Sequence, residues 1–143
     1  MKSFTTRMMI AVAALAVAAG TASAQTYKAE IPMAFHAGNK AMTAGSYDLR
    51  MVRGISGHPF VAVQNVNTKA TAVLLPVLGP DAPKAWVEAG NPRITFECVD
   101  GSCSLRKLWN GRDVSVYQLP ARKLRPAEVE RIAVVTVGLT KAD

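Results

Sequence analysis

Several residue types and motifs that catalysis commonly uses are scarce or absent in this chain of 143 residues. It contains only two histidines and two cysteines, and aromatic side chains make up 6% of the sequence. The motifs G-x-S-x-G, H-E-x-x-H, G-x-G-x-x-G and the phosphate-binding P-loop do not occur. The sequence therefore predicts no catalytic, cofactor-binding or metal-binding residue and no cofactor, and it favours a non-enzymatic protein over an enzyme without deciding between them.

Long apolar runs are also scarce, and the longest one lies near the N terminus. Met8–Ala19 is apolar, follows two cations, and is followed by the small-x-small pattern that ends at Ala24. A dozen residues are too few for a membrane span, which needs about 20. We therefore predict a cleaved signal peptide at 1–24, export to the periplasm or the exterior, and a single β domain at 25–143 without a transmembrane segment.

The charge of the chain is positive. The formal net charge is +7, and the predicted cleavage removes Lys2 and Arg7, which leaves 15 basic against 10 acidic residues. The densest basic cluster is Arg122, Lys123 and Arg125. The partners that this charge suggests are an envelope polymer, an anionic surface or another envelope protein, but a solvated linker is the favoured interpretation of the cluster. Nucleic acid is not expected, because the cluster has no interleaved aromatic residue and the chain is exported.

Most of the chain alternates between apolar and polar residues, which is typical of β-strands. Between Tyr27 and Phe35 the apolar residues occupy the odd positions, and between Tyr47 and Met51 they do so again. We expect these two strands to form a long, bent hairpin. The fold class is predicted to be all-β: a small antiparallel β-sandwich or partly open barrel of about eight strands.

The remaining segments are predicted from their apolar runs and from the positions of their prolines. The runs 60–64 and 70–78 have apolar residues at both odd and even positions, which indicates central strands covered on both faces. Residues 79–92 contain three prolines and predict a long loop, whose Trp86 either caps the core or forms a binding rim. Pro126 begins one or two helical turns, and Ile132–Leu139 forms a last strand.

Two turn signals give the registers of three strands. Asp100-Gly101 and Asn110-Gly111 both favour two-residue type I′ hairpins. The first turn pairs Cys98 with Cys103 and Phe96 with Leu105; the second pairs Leu105 with Val116 and Lys107 with Val114. One face then carries Ile94, Phe96, Cys98, Cys103, Leu105, Val114 and Val116, and the other Arg93, Thr95, Glu97, Ser104, Arg106, Asp113 and Ser115. Lys107 falls on the apolar face and requires either snorkelling or a bulge.

The two cysteines are predicted to form a disulfide. Cys98 and Cys103 occupy a non-hydrogen-bonded pair, where side chains approach closely, and export places them in an oxidising compartment. A redox-active pair is disfavoured because the spacing is not C-x-x-C. A zinc site would have to recruit His36 and His58, which the spacing does not support.

The carboxylates and histidines are predicted to be solvated surface residues. Glu88 with Glu97, and Glu128 with Glu130, could be paired carboxylates, but Glu97 falls on a wet strand face and Glu128 beside a charged turn. His36 and His58 lie at a strand end and in a turn. The sequence gives none of them a catalytic role.

The region 31–47 resembles the start of a group of small exported bacterial proteins of unknown function. Their mature ends read PF-x-F-x-x-G-x-K-x-L-P-A-G-x-Y, against Ile31-Pro32-Met33-Ala34-Phe35 and the following Gly38 to Tyr47 here. Met33 stands where the pattern has Phe, and Thr43 where it has Pro. The resemblance implies export and a β-sandwich, and it assigns no catalytic residue to this chain.

Two hypotheses about function follow. The first is a non-enzymatic cell-envelope module that binds a partner or polymer through the loop 79–92 or through its basic face. The second is a small hydrolase or hydrophobic-ligand carrier whose site is assembled across the sheet. A polar cleft with a histidine and a carboxylate would favour the hydrolase, and a closed apolar cavity the carrier.

Overall fold

The computed structural model describes residues 24–53 and 58–142. The predicted signal peptide therefore lies outside the described residues except for Ala24. The described part contains short strands β1 (Ala24–Ile31), β2 (Phe35–Ala37), β3 (Lys40–Met42), β4 (Gly45–Arg53), β5 (Pro59–Asn65), β6 (Thr71–Leu74), β7 (Val77–Asp81), β8 (Arg93–Val99), β9 (Ser102–Trp109), β10 (Ser115–Gln118), β11 (Ala133–Gly138) and β12 (Thr140–Lys141). Two short helices are α1 (Lys84–Ala89) and α2 (Pro126–Val129).

These strands form two sheets that do not close into a barrel. The first has five strands in the order β12-β1-β4-β5-β6, and the second has seven, with β11-β8-β9-β10-β7 as its main path and β2 and β3 attached through β9. The prediction of an all-β sandwich is confirmed. The expected number of about eight strands was too low, because glycines and prolines divide several apolar runs into two short strands.

The core lies between the two sheets and contains residues from both. The predicted alternation in β1 is confirmed, since Tyr27, Ala29 and Ile31 are buried while Lys28 and Glu30 are exposed. Side chains with at most 1% exposure come from four strands and the segment after β10: Tyr47, Leu49, Val61, Val63, Ile94, Phe96, Leu105, Leu108 and Leu119. The apolar positions of both sheets therefore fill one common interior.

The pairing of β1 with β4 is confirmed, but the chain between them does not form a simple bend. The two strands pair from Ala24 with Val52 to Ile31 with Gly45. Between them, β2 and β3 form a small hairpin of their own that joins the other sheet through His36 and Ser104. The Phe35 ring thereby packs 5.3 Å from the Phe96 ring, across the second sheet.

The prediction of central strands at 60–64 and 70–78 was wrong for the second segment. Pro76 interrupts it, so that β6 ends the first sheet and β7 ends the second. Val73, Leu75 and Leu78 are consequently 62%, 70% and 70% exposed. The apolar residues at odd and even positions of this segment therefore belong to two edge strands, and not to one strand that is covered on both faces.

The stretch 79–92 was predicted as a loop but contains the end of β7 and the helix α1. Trp86 on this helix lies 6.1 Å from the ring of Trp109, and the Arg93 guanidinium lies over both rings at 5.1 and 5.9 Å. Trp109 is only 2% exposed. The tryptophan of this segment thus covers a buried neighbour, as the capping interpretation expects.

The first turn signal gave the correct register. Cys98 pairs with Cys103 and Phe96 with Leu105 across the Asp100-Gly101 turn, where both turn residues have positive φ. The register then shifts between Thr95 and Phe96, so that Thr95 faces Lys107. This bulge turns Lys107 away from the core and places Leu108 there instead.

The second turn signal did not give the correct register. Tyr117 pairs with Leu108 and Gln118 with Lys107, and the expected partners of Leu105 and Lys107 are not found. The reason is the Asn110 side chain, whose Oδ1 accepts the backbone N–H groups of Arg112 and Asp113, each at 2.9 Å. This arrangement lengthens the loop. Val116 is buried as predicted, whereas Val114 is 71% exposed.

The C-terminal elements follow the prediction. α2 begins at Pro126, and β11 occupies most of the predicted last strand, with β12 added after it. Within the described ranges, neither helix has the length and apolar character that crossing a membrane requires.

Candidate functional site

The segment 119–132, here called the strap, lies beside the outer face of β8 and β9. Its first anchor is Leu119, whose backbone N–H donates to the Arg106 carbonyl oxygen at 2.7 Å, and whose own carbonyl oxygen accepts from the Arg106 guanidinium at 2.7 Å. Arg106 is the extra residue of the β-bulge. The bulge therefore positions the side chain that holds the start of the strap.

Glu128, in α2, ties parts of the strap to one another. Its carboxylate accepts hydrogen bonds from the guanidinium of Arg122 at 2.9 Å and from that of Arg125 at 3.1 Å. The backbone N–H of Arg125 also donates to it at 3.1 Å. These bonds, the one from Arg122 above all, hold the pKa of Glu128 at about 2, well below its ordinary value of 4.5.

The second anchor is Arg131, near the end of the strap. Its guanidinium donates to both carboxylate oxygens of Asp100, at 3.0 and 3.3 Å. Asp100 belongs to the turn between β8 and β9. The strap is thus bound to the sheet at its start and at the hairpin turn, while Glu128 ties its middle together.

Between the strap and the sheet lies a cleft of about 440 Å³ that is partly open to solvent. We call it the strap cleft. Its floor is formed by outward-facing residues of β8 and β9, and its wall by residues of the strap: Glu97, Val99, Ser102, Ser104 and Arg106 on the floor, and Ala121, Arg122, Lys123, Leu124, Val129 and Ile132 on the wall. The volume falls in the range of small-ligand sites.

The charges of the strap cleft are partly neutralised within the protein. Glu97 pairs with Arg106 at 3.3 Å on the floor, and Arg122 pairs with Glu128 behind the wall. In the part of the chain that the structure describes, no ion pair includes Lys123. The cleft therefore presents one cation that no acid neutralises, which favours an anionic ligand.

Two serine hydroxyls complete the polar floor. Ser102 and Ser104 lie two residues apart on β9 and face the same side. Among the described residues, neither hydroxyl has a hydrogen-bond partner. A ligand in the cleft would therefore meet two groups that can donate or accept without breaking an existing bond.

The predicted site residues are distributed as follows. The disulfide between Cys98 and Cys103 is formed, as predicted, beside the cleft floor. The basic cluster lies in an irregular segment and its three side chains are exposed, as the linker interpretation expects, although Arg122 and Arg125 also bind Glu128. The prediction that Glu128 is a surface residue was wrong: the residue is 5% exposed, because two arginines cover it. The positions of Arg122, Arg125 and Glu128 close to Pro126 were the sequence feature that could have indicated this burial.

The histidines do not come together. His36 borders a shallow depression that also includes Asp100 and Ser102. Both oxygens of Asp100 are bound by Arg131, so this carboxylate does not orient a histidine. His58 is exposed at the start of β5. No group of three potential metal ligands is found among the described residues.

A second, wider groove of about 690 Å³ adjoins the strap cleft at Ala121 and Arg122. It runs between the turn of β2 and β3 and the edge strand β6. The ammonium of Lys40 donates to the Thr71 carbonyl oxygen there at 2.7 Å, which occupies a backbone acceptor of the strand edge.

Comparisons with known proteins give no relative. No protein-family model, no curated protein and no solved structure matches the chain. The geometry of the cleft is therefore the basis for an interpretation of function.

Proposed function

We propose that this protein is a non-enzymatic, exported cell-envelope module that acts by holding a partner in the strap cleft. The single observation that carries the proposal is that the strap and the sheet form a cleft in which several polar groups have no partner among the described residues. Two anchors hold the strap beside the sheet, at Leu119 and at Arg131, and the space beneath it contains unpaired serine hydroxyls and a cation without an acid. A strap bound to the sheet at both ends keeps the wall of the cleft beside its floor, which reduces the ordering that binding requires.

The positive charge of the chain supports the same proposal. An exported protein with an excess of basic residues encounters anionic polymers, headgroups and acidic proteins, and its charge raises the rate of encounter with them. The cations beside the cleft lie where such a partner would arrive. An envelope polymer, an anionic surface and another envelope protein all remain candidate partners at this level.

The alternative of a hydrolase has weaker support from the geometry. The carboxylate of Glu97 on the cleft floor is paired with Arg106 and has no histidine beside it among the residues that form the cleft. A carrier of hydrophobic ligands would be expected to use a closed apolar cavity. The strap cleft is open and has a polar floor.

The experiment is an affinity capture that depends on the cleft. The chain 25–143 is immobilised, exposed to an envelope extract of the native host, and compared with the variant Ser102→Trp, which fills the cleft from an exposed position. The matched control is Thr136→Trp, which places the same ring on exposed β11, outside the cleft. Thermal unfolding verifies that all three proteins are folded.

We expect the native chain and Thr136→Trp to retain the same partner, and Ser102→Trp to lose it. Equal recovery by all three proteins would show that the partner binds elsewhere. Recovery of nothing above a control protein of equal net charge would contradict the binding function itself.

A further inference from the structure

We propose that the strap cleft binds an extended peptide segment that carries one carboxylate beside aliphatic side chains, with Lys123 as the residue that recognises the carboxylate. The inference rests on the proposed binding function and names its ligand class. It is argued from the spacing of the hydroxyls, from the apolar wall and from the charges.

The spacing of the serines matches an extended backbone. Ser102 and Ser104 are two residues apart on one strand, so their side chains recur at about 6.8 Å. In an extended peptide, backbone groups that point to the same side recur at the same distance. A peptide aligned with β9 therefore offers a carbonyl or an N–H to each of the two hydroxyls.

The wall of the cleft favours aliphatic side chains. Leu124, Val129 and Ile132 line it, and none of the residues that form the cleft is aromatic. A sugar ring would lack the flat aromatic surface on which such rings usually pack. An acyl chain would cover the Glu97–Arg106 pair and both serines without offering them a hydrogen bond, which is unfavourable. A peptide offers aliphatic side chains and polar backbone groups together.

The charges favour a ligand with one carboxylate. Glu97 neutralises Arg106. Glu128 is shared by Arg122 and by Arg125, which does not line the cleft. Lys123 is therefore the lining cation without an acidic partner among the described residues. One acidic group on the ligand balances this cation, and a cationic ligand would be repelled. The carboxylate can be the side chain of an acidic residue or the C terminus of the ligand, because both present the same oxygens.

The test uses three fluorescein-labelled hexapeptides rich in Val and Leu. The first has a central Glu and an amidated C terminus, the second replaces Glu with Gln, and the third keeps Gln but ends in a free carboxylate. Binding to the disulfide-intact chain 25–143 is measured by fluorescence anisotropy. We expect the first or the third peptide to bind about 10-fold more tightly than the second, which distinguishes the two sources of the carboxylate.

Variants assign the charge contact. In Lys123→Ala the advantage of the carboxylate peptide over the neutral one should disappear, whereas Lys84→Ala, which removes an exposed lysine outside the cleft, should preserve it. Ser104→Ala should weaken all three peptides by a similar factor and leave their ratio unchanged, because it removes a backbone contact.

Two outcomes would overturn the inference. One is the absence of binding by every peptide up to about 1 mM. The other is a carboxylate preference that survives in Lys123→Ala. If either is found while the capture experiment still shows a partner that Ser102→Trp loses, the proposed function stands and the ligand is not an acidic peptide.

Discussion

Glu128 shows how individual residues hold the strap. The residue is only 5% exposed, and two guanidinium groups as well as a backbone N–H donate to its carboxylate. Because Arg122 and Arg125 remain partly exposed, their own hydration is largely kept. The site therefore stabilises a charged carboxylate at a position that the chain covers almost completely.

We predict that Glu128→Gln lowers the melting temperature at neutral pH and that this difference depends on pH. The folded pKa of Glu128, about 2, lies below the ordinary 4.5, so the stability that its charge contributes is complete above pH 4.5. It is lost as the pH falls from 4.5 to 2. The difference in melting temperature between the native chain and the variant should therefore shrink through this window, as thermal scans at several pH values can measure.

The control for this experiment is Glu130→Gln. Glu130 is exposed and lies two residues further along the chain, so the substitution removes the same charge without removing the ion pairs. Its effect on the free energy of unfolding should remain within about 0.5 kcal/mol. A difference for Glu128→Gln that stays constant from pH 7 to 2 would contradict the assigned pKa.

At the scale of elements, the turns decide where each strand pairs. Gly101 and Gly111 both have positive φ, at +82° and +83°, which side chains adopt at a cost. They differ in their surroundings. A Cβ at Gly101 would meet no atom within 4 Å, whereas one at Gly111 would lie 3.1 Å from the Gly90 carbonyl oxygen.

We predict that Gly101→Ala destabilises the protein by about 1 kcal/mol, from backbone strain alone. Gly111→Ala should cost more, because the added methyl group also contacts backbone atoms. Urea unfolding measures both. Gly138→Ala is the control, since Gly138 has no positive φ and its added Cβ would meet nothing within 4 Å. Equal losses at 101 and 111 would show that the contact at Gly90 has no effect.

The strands and turns also show which parts of the fold can be predicted from the sequence. The register at Asp100-Gly101 was predictable because backbone conformation and alternation both depend on neighbouring residues. The register at Asn110-Gly111 was not, since one side-chain oxygen that binds two backbone N–H groups lengthens the loop. Residues 70–78 were wrongly assigned to a central strand. An edge strand that leaves apolar side chains exposed has the same sequence pattern as a strand covered on both faces.

The candidate site was predictable only in its parts. The sequence identified the basic cluster and the cysteine hairpin, but not that one lies beside the other. Ser102 and Ser104 carried no signal, because serines on a strand face are common. Their relevance comes from the strap, which crosses from Leu119 to Arg131 and places Lys123 near them.

At the scale of the whole molecule, the disulfide and the core make separate contributions to stability. Cys98 and Cys103 close a loop with a sequence separation of only 5 residues. The entropy that such a loop removes from the unfolded chain is small. The buried side chains of both sheets, in contrast, join strands that are far apart in sequence.

We predict that reduction lowers the free energy of unfolding by about 2 kcal/mol and leaves the protein folded. The oxidised chain should have no free thiol, and reduction should add the mass of two hydrogens. Denaturant unfolding with and without reductant measures the loss, and the variant Cys98→Ala/Cys103→Ala should not respond to reductant. Two titratable thiols in material prepared without reductant, or complete unfolding on reduction, would contradict this prediction.

The sequence by itself determined the strand class, the buried faces of β1 and β4 and the pairing of the cysteines, because these depend on periods and turns within a few residues. The tertiary structure alone decided the assignment of strands to two sheets, the edge positions of β6 and β7, the burial of Glu128 and the existence of the strap cleft. These features depend on which distant segments meet. Such contacts arise from the packing of the whole chain, and a local pattern does not encode them.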